Sequence, residues 1–473
     1  MGNFEGSIPP EILNAFDQKH GFSLLIKGEA GTGKTTLALE ILAKKKNAIY
    51  ISSRVTPESL YNQFPWIKNI PKENIIDGTQ IDLKYSTVSH KEAFLHAVKF
   101  RNMPDFIKLI YRKAEEIESP EKATIVVDSW DAILGSIVQE WERKNLVGYN
   151  ETILAELTRQ MNINLILIAE TDDKSFLDYI VDGIIRIDKT EFDEKRIRIL
   201  TIEKMRGITI KNFRYLFTLK DGRFHYFRPN LNIKKILDKI EINMKDIEDK
   251  ITTGIEDFDN LIDGGFSIFS KTLFLIDDTI GDEYSFLIYP LMAEHIKNRK
   301  AVIQIPSMEL NHNEFRDYFR KNYPEINLDE YYKVFTKNTF DEKNTLELNE
   351  SIYELISKIE DTFNKYIKEG KTPILFIYGL DVLEILYGSA DLCKNWFELL
   401  STIKKIPHIS IAIMKDNQES GRGIIYWMDY CFTIFKLHNT LLMYSKKPST
   451  ELLGFELKEL KKSSIRLNLI PVL

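Results

Sequence analysis

The residues most able to do chemistry stand near the N-terminus. Gly28-Glu29-Ala30-Gly31-Thr32-Gly33-Lys34-Thr35 is a complete G-x-x-x-x-G-K-T phosphate-binding loop. Glycines at these spacings let successive backbone N–H groups turn inward around phosphate oxygens. The helix that must follow adds partial positive charge at its N-terminus. Lys34 is expected to reach the β and γ phosphates of ATP, and the Thr35 hydroxyl to ligate Mg²⁺. Gly28, Glu29, Ala30, Gly31, Thr32, Gly33, Lys34, Thr35 and Thr36 are therefore the expected nucleotide-binding residues. A second group is Asp128, which closes the apolar run Thr124-Ile125-Val126-Val127 and fits the Mg²⁺-side carboxylate that accompanies such a loop. Asp131 stands nearby as a supporting polar group or a solvated one.

These residues need a strand, a turn and a helix in that order. Ser23-Leu24-Leu25-Ile26-Lys27 reads as a buried strand, and Leu37, Ala38, Ile41 and Leu42 have helical spacing over 36–46. A chance glycine-rich turn would not come with both flanking elements. Ser89-His90-Lys91-Glu92 is a capping box that opens a helix through Phe94 and Val98. Lys44-Lys45-Lys46 closes the loop's helix, where lysines complement its C-terminal carbonyls.

The second half of the chain repeats the first in altered form. Leu273-Phe274-Leu275-Ile276 follows Ser23-Leu24-Leu25-Ile26 at an offset of 250 positions, and Ile374-Leu375-Phe376-Ile377 matches the strand before Asp128. Tyr426-Trp427-Met428-Asp429-Tyr430-Cys431-Phe432 matches Tyr179-Ile180-Val181-Asp182-Gly183-Ile184-Ile185 at 247. At an offset of 250, Lys34 maps to Tyr284, Gly33 to Glu283, Gly28 to Asp278 and Asp128 to Tyr378. Asp277, Asp278, Asp282 and Glu283 would then crowd negative charge where a polyphosphate should lie. The second copy is expected to lack a working loop. The domains expected are 1–228 with the phosphate loop, a linker over 229–252 and the degenerate copy over 253–473. Ile233, Ile236, Leu237, Ile240, Met244 and Ile247 give the linker helical spacing. Alternating short apolar strands and helical patterns predict an α/β fold, a mostly parallel sheet flanked by helices, twice over.

Composition narrows the function. The chain has 473 residues, a net charge of -6, 44% hydrophobic and 28% charged residues, so a disordered or fibrous chain is excluded. A pI near 5.9 shows no broad basic footprint for nucleic acid. Two cysteines cannot make a disulfide framework. No apolar run is long enough for a bilayer, and no secretory signal is seen, so a cytoplasmic location without membrane attachment is expected.

The motif order resembles the RecA/KaiC-like P-loop ATPases, and more narrowly the archaeal KaiC-like proteins. The loop, residues 124–129, residues 179–187 and Lys204-Met205-Arg206-Gly207 carry that resemblance. Thr253-Gly254-Ile255 through Gly264-Gly265 resembles the family's usual opening on the second copy. Ile8-Pro9-Pro10-Glu11, the loop strand and residues 53–61 are similar to the gas-vesicle regulatory GvpD type. The resemblance implies that Lys204 and Arg206 act catalytically by reaching a neighbouring subunit's γ-phosphate, as an arginine finger does, and hence a homo-oligomer. It also implies paired glutamates after the second strand to activate water. Here those positions hold Arg54 and Val55, and arginine cannot act as a base. Glu58 is one helical turn further on. Nucleotide binding is thus better founded than hydrolysis. The reading preferred is an ATP-Mg²⁺-binding regulator with slow or absent hydrolysis that controls a protein partner, with the GvpD likeness suggesting a transcription regulator. The alternative is an active RecA-like ATPase on DNA or RNA, for which Arg101, Lys108, Arg112 and Lys113 supply local positive charge.

Overall fold

The computed structural model describes residues 5–77, 110, 112–116, 122–132, 149–170, 174–231, 250–337, 345–348, 351–459 and 465–473. The expected linker helix, the capping box at Ser89 with Phe94 and Val98, Arg101 and Lys108 lie outside the described residues. The chain divides into two compact units, residues 1–227 with 472–473, and residues 228–471.

In the first unit the strands are β1 (Ser23–Lys27), β2 (Ala48–Ser52), β3 (Ile75–Asp77), β4 (Thr124–Asp128), β5 (Asn164–Ala169), β6 (Gly183–Phe192), β7 (Lys195–Met205), β8 (Arg214–Thr218) and β9 (His225–Tyr226). They form one sheet in the order β3-β2-β4-β5-β1-β6-β7-β8-β9. Pairing is parallel from β3 to β6 and antiparallel from β6 to β9. The central strands are buried on both faces, as parallel strands covered by helices must be. On one face Leu24, Ile26, Tyr50 and Val126 pack with Leu37 and Ile41 of α2 (Lys34–Ala43) and Ile12 of α1 (Pro10–Phe16). The other face sets Leu25, Ile49, Ile125 and Leu165 against Leu154 and Leu157 of α4 (Tyr149–Gln160) and Leu177 of α5 (Leu177–Ile180). The short α3 (Pro57–Gln63) follows β2 and is capped by the Thr56 hydroxyl.

The second unit has the same plan. Its main sheet contains β12 (Lys271–Ile276), β13 (Val302–Ile305), β14 (Tyr332–Thr336), β15 (Thr345–Glu347), β16 (Ile374–Gly379), β17 (His408–Lys415), β18 (Tyr430–Leu437), β19 (Thr440–Lys447), β20 (Leu453–Glu459) and β21 (Ile465–Pro471). The order is β15-β14-β13-β16-β17-β12-β18-β19-β20-β21, so β12 holds the place of β1, β13 that of β2, β16 that of β4 and β17 that of β5. The small ribbon β10 (Lys250–Ile251) with β11 (Phe266–Ser267) precedes it, with α6 (Glu256–Leu261) between them. A long helix, α7 (Ser285–Lys297), follows β12 as α2 follows β1. Each half of the chain is therefore an α/β unit with a large, mostly parallel sheet flanked by helices.

The ladder registers correct the residue matching between the two halves. Leu24 pairs with Gly183, and Thr272 pairs with Tyr430, which lies 247 positions after Gly183. Leu24 thus corresponds to Thr272, and the offset on this strand is 248 positions rather than 250. Carried across the sheet, Ile26 pairs with Ile168, which pairs with Asp128, while Phe274 pairs with Ile413, which pairs with Gly379. Gly379, not Tyr378, occupies the place of Asp128. Tyr378 points to the opposite face, where it packs on Phe376 and Trp396. The reason is the period of two along a strand: a shift of one residue moves a side chain through the sheet.

Candidate nucleotide site

The loop between β1 and α2 has the backbone that phosphate binding requires. Gly28, Gly31 and Gly33 have φ of 148°, 74° and 112°, values that other residues rarely adopt. A Cβ on Gly28 would lie 2.1 Å from the Ile187 carbonyl oxygen, so no larger residue fits there. The Thr32 hydroxyl donates to the Glu29 carbonyl at 2.9 Å and holds the turn. Lys34 is buried, and its ammonium donates to the carbonyls of Gly28 and Glu29 at 2.6 and 2.7 Å. On the outer side, Arg198 of β7 donates to the Gly31 and Thr32 carbonyls at 3.0 Å each. Lys189 of β6 lies 3.4 Å from the Ala30 carbonyl and 4.0 Å from the Glu29 carboxylate. Thr36 is buried in the first turn of α2.

The structure brings the loop and Asp128 together. The Thr35 hydroxyl donates to Asp128 Oδ2 at 2.6 Å. Tyr50, from the neighbouring β2, donates to the same oxygen at 2.7 Å. Burial first, and then the charge of Asp128, push the Tyr50 phenol well above its ordinary range, so it stays a donor. A hydroxyl and a carboxylate oxygen at this separation form the hard-oxygen pair that Mg²⁺ takes alongside phosphate and water. Among the described residues no cluster of three or more His, Cys, Asp or Glu could hold a metal by itself.

Beyond Asp128 the ends of β2 and β5 meet over β4. Arg54, two residues past β2, forms a forked pair with Glu170, at 2.5 and 2.7 Å. Glu170 directly follows β5, and its backbone N–H donates to Asp131 Oδ2 at 2.6 Å. Asp131 is thus a bracing group for this corner. Glu58 is exposed on α3. Tyr50, Arg198 and Glu170 were not singled out from the sequence. Tyr50 and Glu170 stand within or beside apolar strands, whereas Arg198 is one of several charged residues on β7.

Lys204 and Arg206 lie at the other end of β7. Lys204 donates to the carbonyls of Asp178 and Tyr179 at 2.9 and 3.4 Å. Burial and the neighbouring Arg206 lower its pKa from the ordinary lysine value. Arg206 contacts Asp182 at 3.4 Å and the Tyr179 carbonyl at 3.2 Å. The described structure of one chain thus brings these two cations together with each other and not with the loop.

The corresponding corner of the second unit is filled by its own side chains. Tyr284 precedes α7 and is buried, its hydroxyl donating to Ser307 at 3.1 Å, which donates to Asp381 at 2.6 Å. Glu283 accepts the Gly281 N–H at 2.7 Å and pairs with Lys436. Burial opposes its charge, but the bond to Lys436 outweighs this and holds its pKa below the ordinary value. Three of the four acids expected to crowd this loop are separately bonded: Asp277 by Thr279, Asp278 by Asn417 and Glu283 by Lys436.

Residues 12–203 match the family described as GvpD gas vesicle protein, P-loop domain. Protein GvpD2 of Halobacterium salinarum is 28% identical over 227 residues, 47% of this chain and 44% of that protein. Protein GvpD1 of the same organism is 31% identical over 225 residues, 47% of this chain and 41% of that protein. The matched stretch spans less than half the length of either relative. No helix among the described residues is long and apolar enough to cross a membrane. The first unit, with its intact phosphate loop and Thr35–Asp128 contact, carries a P-loop domain similar to that of the GvpD gas vesicle proteins.

Proposed function

We propose that the first unit binds ATP with Mg²⁺ and that the chain serves as a nucleotide-dependent regulator of a protein partner, with slow turnover. The observation that carries this reading is the Thr35–Asp128 hydrogen bond beside an intact phosphate loop. Lys34 and the loop N–H groups would hold the phosphates, and Thr35 and Asp128 would hold the metal. When bound, the metal would neutralise charge between the β and γ phosphates. Tyr50 donates to Asp128 Oδ2 beside Thr35 and so holds that carboxylate toward the loop. The second unit is proposed not to bind nucleotide through its loop, because Tyr284 and the Glu283–Lys436 pair take the space and charge such binding needs.

The likeness to gas vesicle proteins over the first unit suggests regulation of gas vesicle formation, through a transcription regulator as partner. A switch of that kind needs ATP to bind one conformation of the chain better than another. Arg206 is proposed to act on a neighbouring copy in a homo-oligomer, as an in-trans cation. Equilibrium titration with ATP and Mg²⁺ tests the core of the proposal. One site per chain, lost in Lys34→Ala and kept in Tyr284→Phe, is the expected result. Two sites, or undiminished affinity in Lys34→Ala, would overturn it.

A further inference from the structure

We infer that Glu170 is the carboxylate that takes the proton from the attacking water, in place of the acids absent after β2, and that Arg54 is the positioning residue that aims it. This inference rests on the nucleotide-binding reading above. The sheet order puts β5 between β4, which carries Asp128, and β1, which feeds the phosphate loop. Asp128 pairs in register with Ile168. Ile168 packs on the face shared with α2, and Glu170 is two residues further, so continuing the strand's alternation directs it to the same face. Arg54 stands in the same relation to Ser52, the partner of Asp128 on β2. The two side chains therefore meet across the end of β4, on the loop's side of the sheet.

Other acids are less well placed. Asp128 Oδ2 is taken by Thr35 and Tyr50, and Asp131 Oδ2 by the Glu170 N–H. Glu58 is exposed on α3, and Glu29 is 73% exposed on the loop itself. Glu170 is one-third exposed and Arg54 about half, so water reaches the pair while the guanidinium fork fixes the carboxylate plane. In the step, the water oxygen bonds to the γ-phosphorus as the bond to the β,γ-bridging oxygen breaks. That electron pair stays on the diphosphate, and the water proton passes to Glu170 and then to solvent. A positioned base of this kind contributes on the order of 100-fold or more.

The test is single-turnover hydrolysis of ATP with Mg²⁺ by the full chain, beside equilibrium binding of the same nucleotide. Glu170→Gln is expected to bind ATP within about twofold of wild type while its hydrolysis rate falls by about 100-fold. Arg54→Ala should also lower the rate with binding retained, and Glu170→Gln with Arg54→Ala should be no slower than Glu170→Gln alone, because Arg54 acts through Glu170. Undiminished hydrolysis in Glu170→Gln, an additive double variant, or binding by the wild type with no hydrolysis at all would each overturn the assignment and leave the binding reading intact. Absence of binding by the wild type would overturn both.

Discussion

Replacing Lys34 by alanine isolates one charge in an otherwise intact loop. The Lys34 ammonium makes two short bonds, to the Gly28 and Glu29 carbonyls. Binding phosphate therefore exchanges carbonyl partners for charged ones instead of creating contacts from nothing. The net gain is about one charge-assisted hydrogen bond, roughly 2–3 kcal/mol, which is a 30- to 150-fold change in affinity. The backbone N–H cradle survives, because Gly28, Gly31 and Gly33 set it. A thermal shift reads the difference. At ATP one hundred times the wild-type Kd, binding stabilises the first unit by about 2.7 kcal/mol. For a unit of this size that is roughly 5–10 °C in melting temperature. At the same ATP concentration the alanine variant, weakened about 100-fold, gains only about 0.4 kcal/mol, a shift of roughly 1–2 °C. A Lys34→Ala shift within 2 °C of wild type would refute the reasoning, since the loop would then bind without its cation.

Arg223→Ala should destabilise the first unit by about 3–5 kcal/mol, because it strands Glu40. That carboxylate is 1% exposed and is held by Arg223 at 2.8 and 2.6 Å. Urea melts would show it, and a loss below 1 kcal/mol would mean that Glu40 finds another partner. In the second unit, burial lowers the His295 pKa to about 3, against an ordinary value of 6.5. A depressed folded pKa means that the neutral ring's stability is present above pH 6.5 and is lost as pH falls from there towards 3, by up to about 1.4 kcal/mol per unit. Melting temperatures from pH 7 to pH 5 should therefore fall less steeply in a His295→Gln variant, and an unchanged slope would assign the pH dependence elsewhere. Mixing Arg206→Ala chains with Lys34→Ala chains should restore part of the turnover each lacks, if Arg206 serves a neighbouring copy. Demonstrably mixed assemblies with no recovery would remove the in-trans role.

The phosphate loop was legible because its chemistry is local. Three glycines, a lysine and a threonine within eight residues determine the turn, and the strand and helix beside them announce themselves by apolar spacing. Asp128 was legible for the same reason, as the acid closing a largely apolar strand. Tyr50 and Glu170 were not, because their meaning lies in contacts 78 and 116 positions away in the chain, to Asp128 and Arg54. A tyrosine inside a buried strand looks like core until its hydroxyl has a partner. The repeat was legible in outline and shifted in detail. On β12 the error of two residues left each side chain on its proper face, but at Asp128 the error was a single residue and exchanged a glycine for a tyrosine.

The two halves of the chain also help to separate scaffold from chemistry around Lys204. Cys431, 247 positions after Ile184, pairs with Lys447 as Ile184 pairs with Lys204. Lys447 donates to the Ile425 and Tyr426 carbonyls at 3.0 and 3.3 Å, the counterparts of the Asp178 and Tyr179 carbonyls that Lys204 holds. The same bracing therefore occurs in the unit whose loop is filled by Tyr284 and Glu283, and it does not depend on a nucleotide. Asp182 and Asp429 behave likewise, accepting the backbone N–H of Ser23 and Lys271. For Lys204 to act on another copy, it would first have to release two carbonyls that its counterpart keeps. Arg206 has no such duplicate, since Ser449 stands two residues after Lys447. Its side chain is 49% exposed and would have to release only one carbonyl, that of Tyr179 at 3.2 Å, besides the 3.4 Å contact with Asp182. The proposed in-trans role therefore rests on Arg206, and Lys204→Ala should act mainly by loosening the segment before β6. A Lys204→Ala variant that melts as wild type yet loses turnover would reverse that ordering.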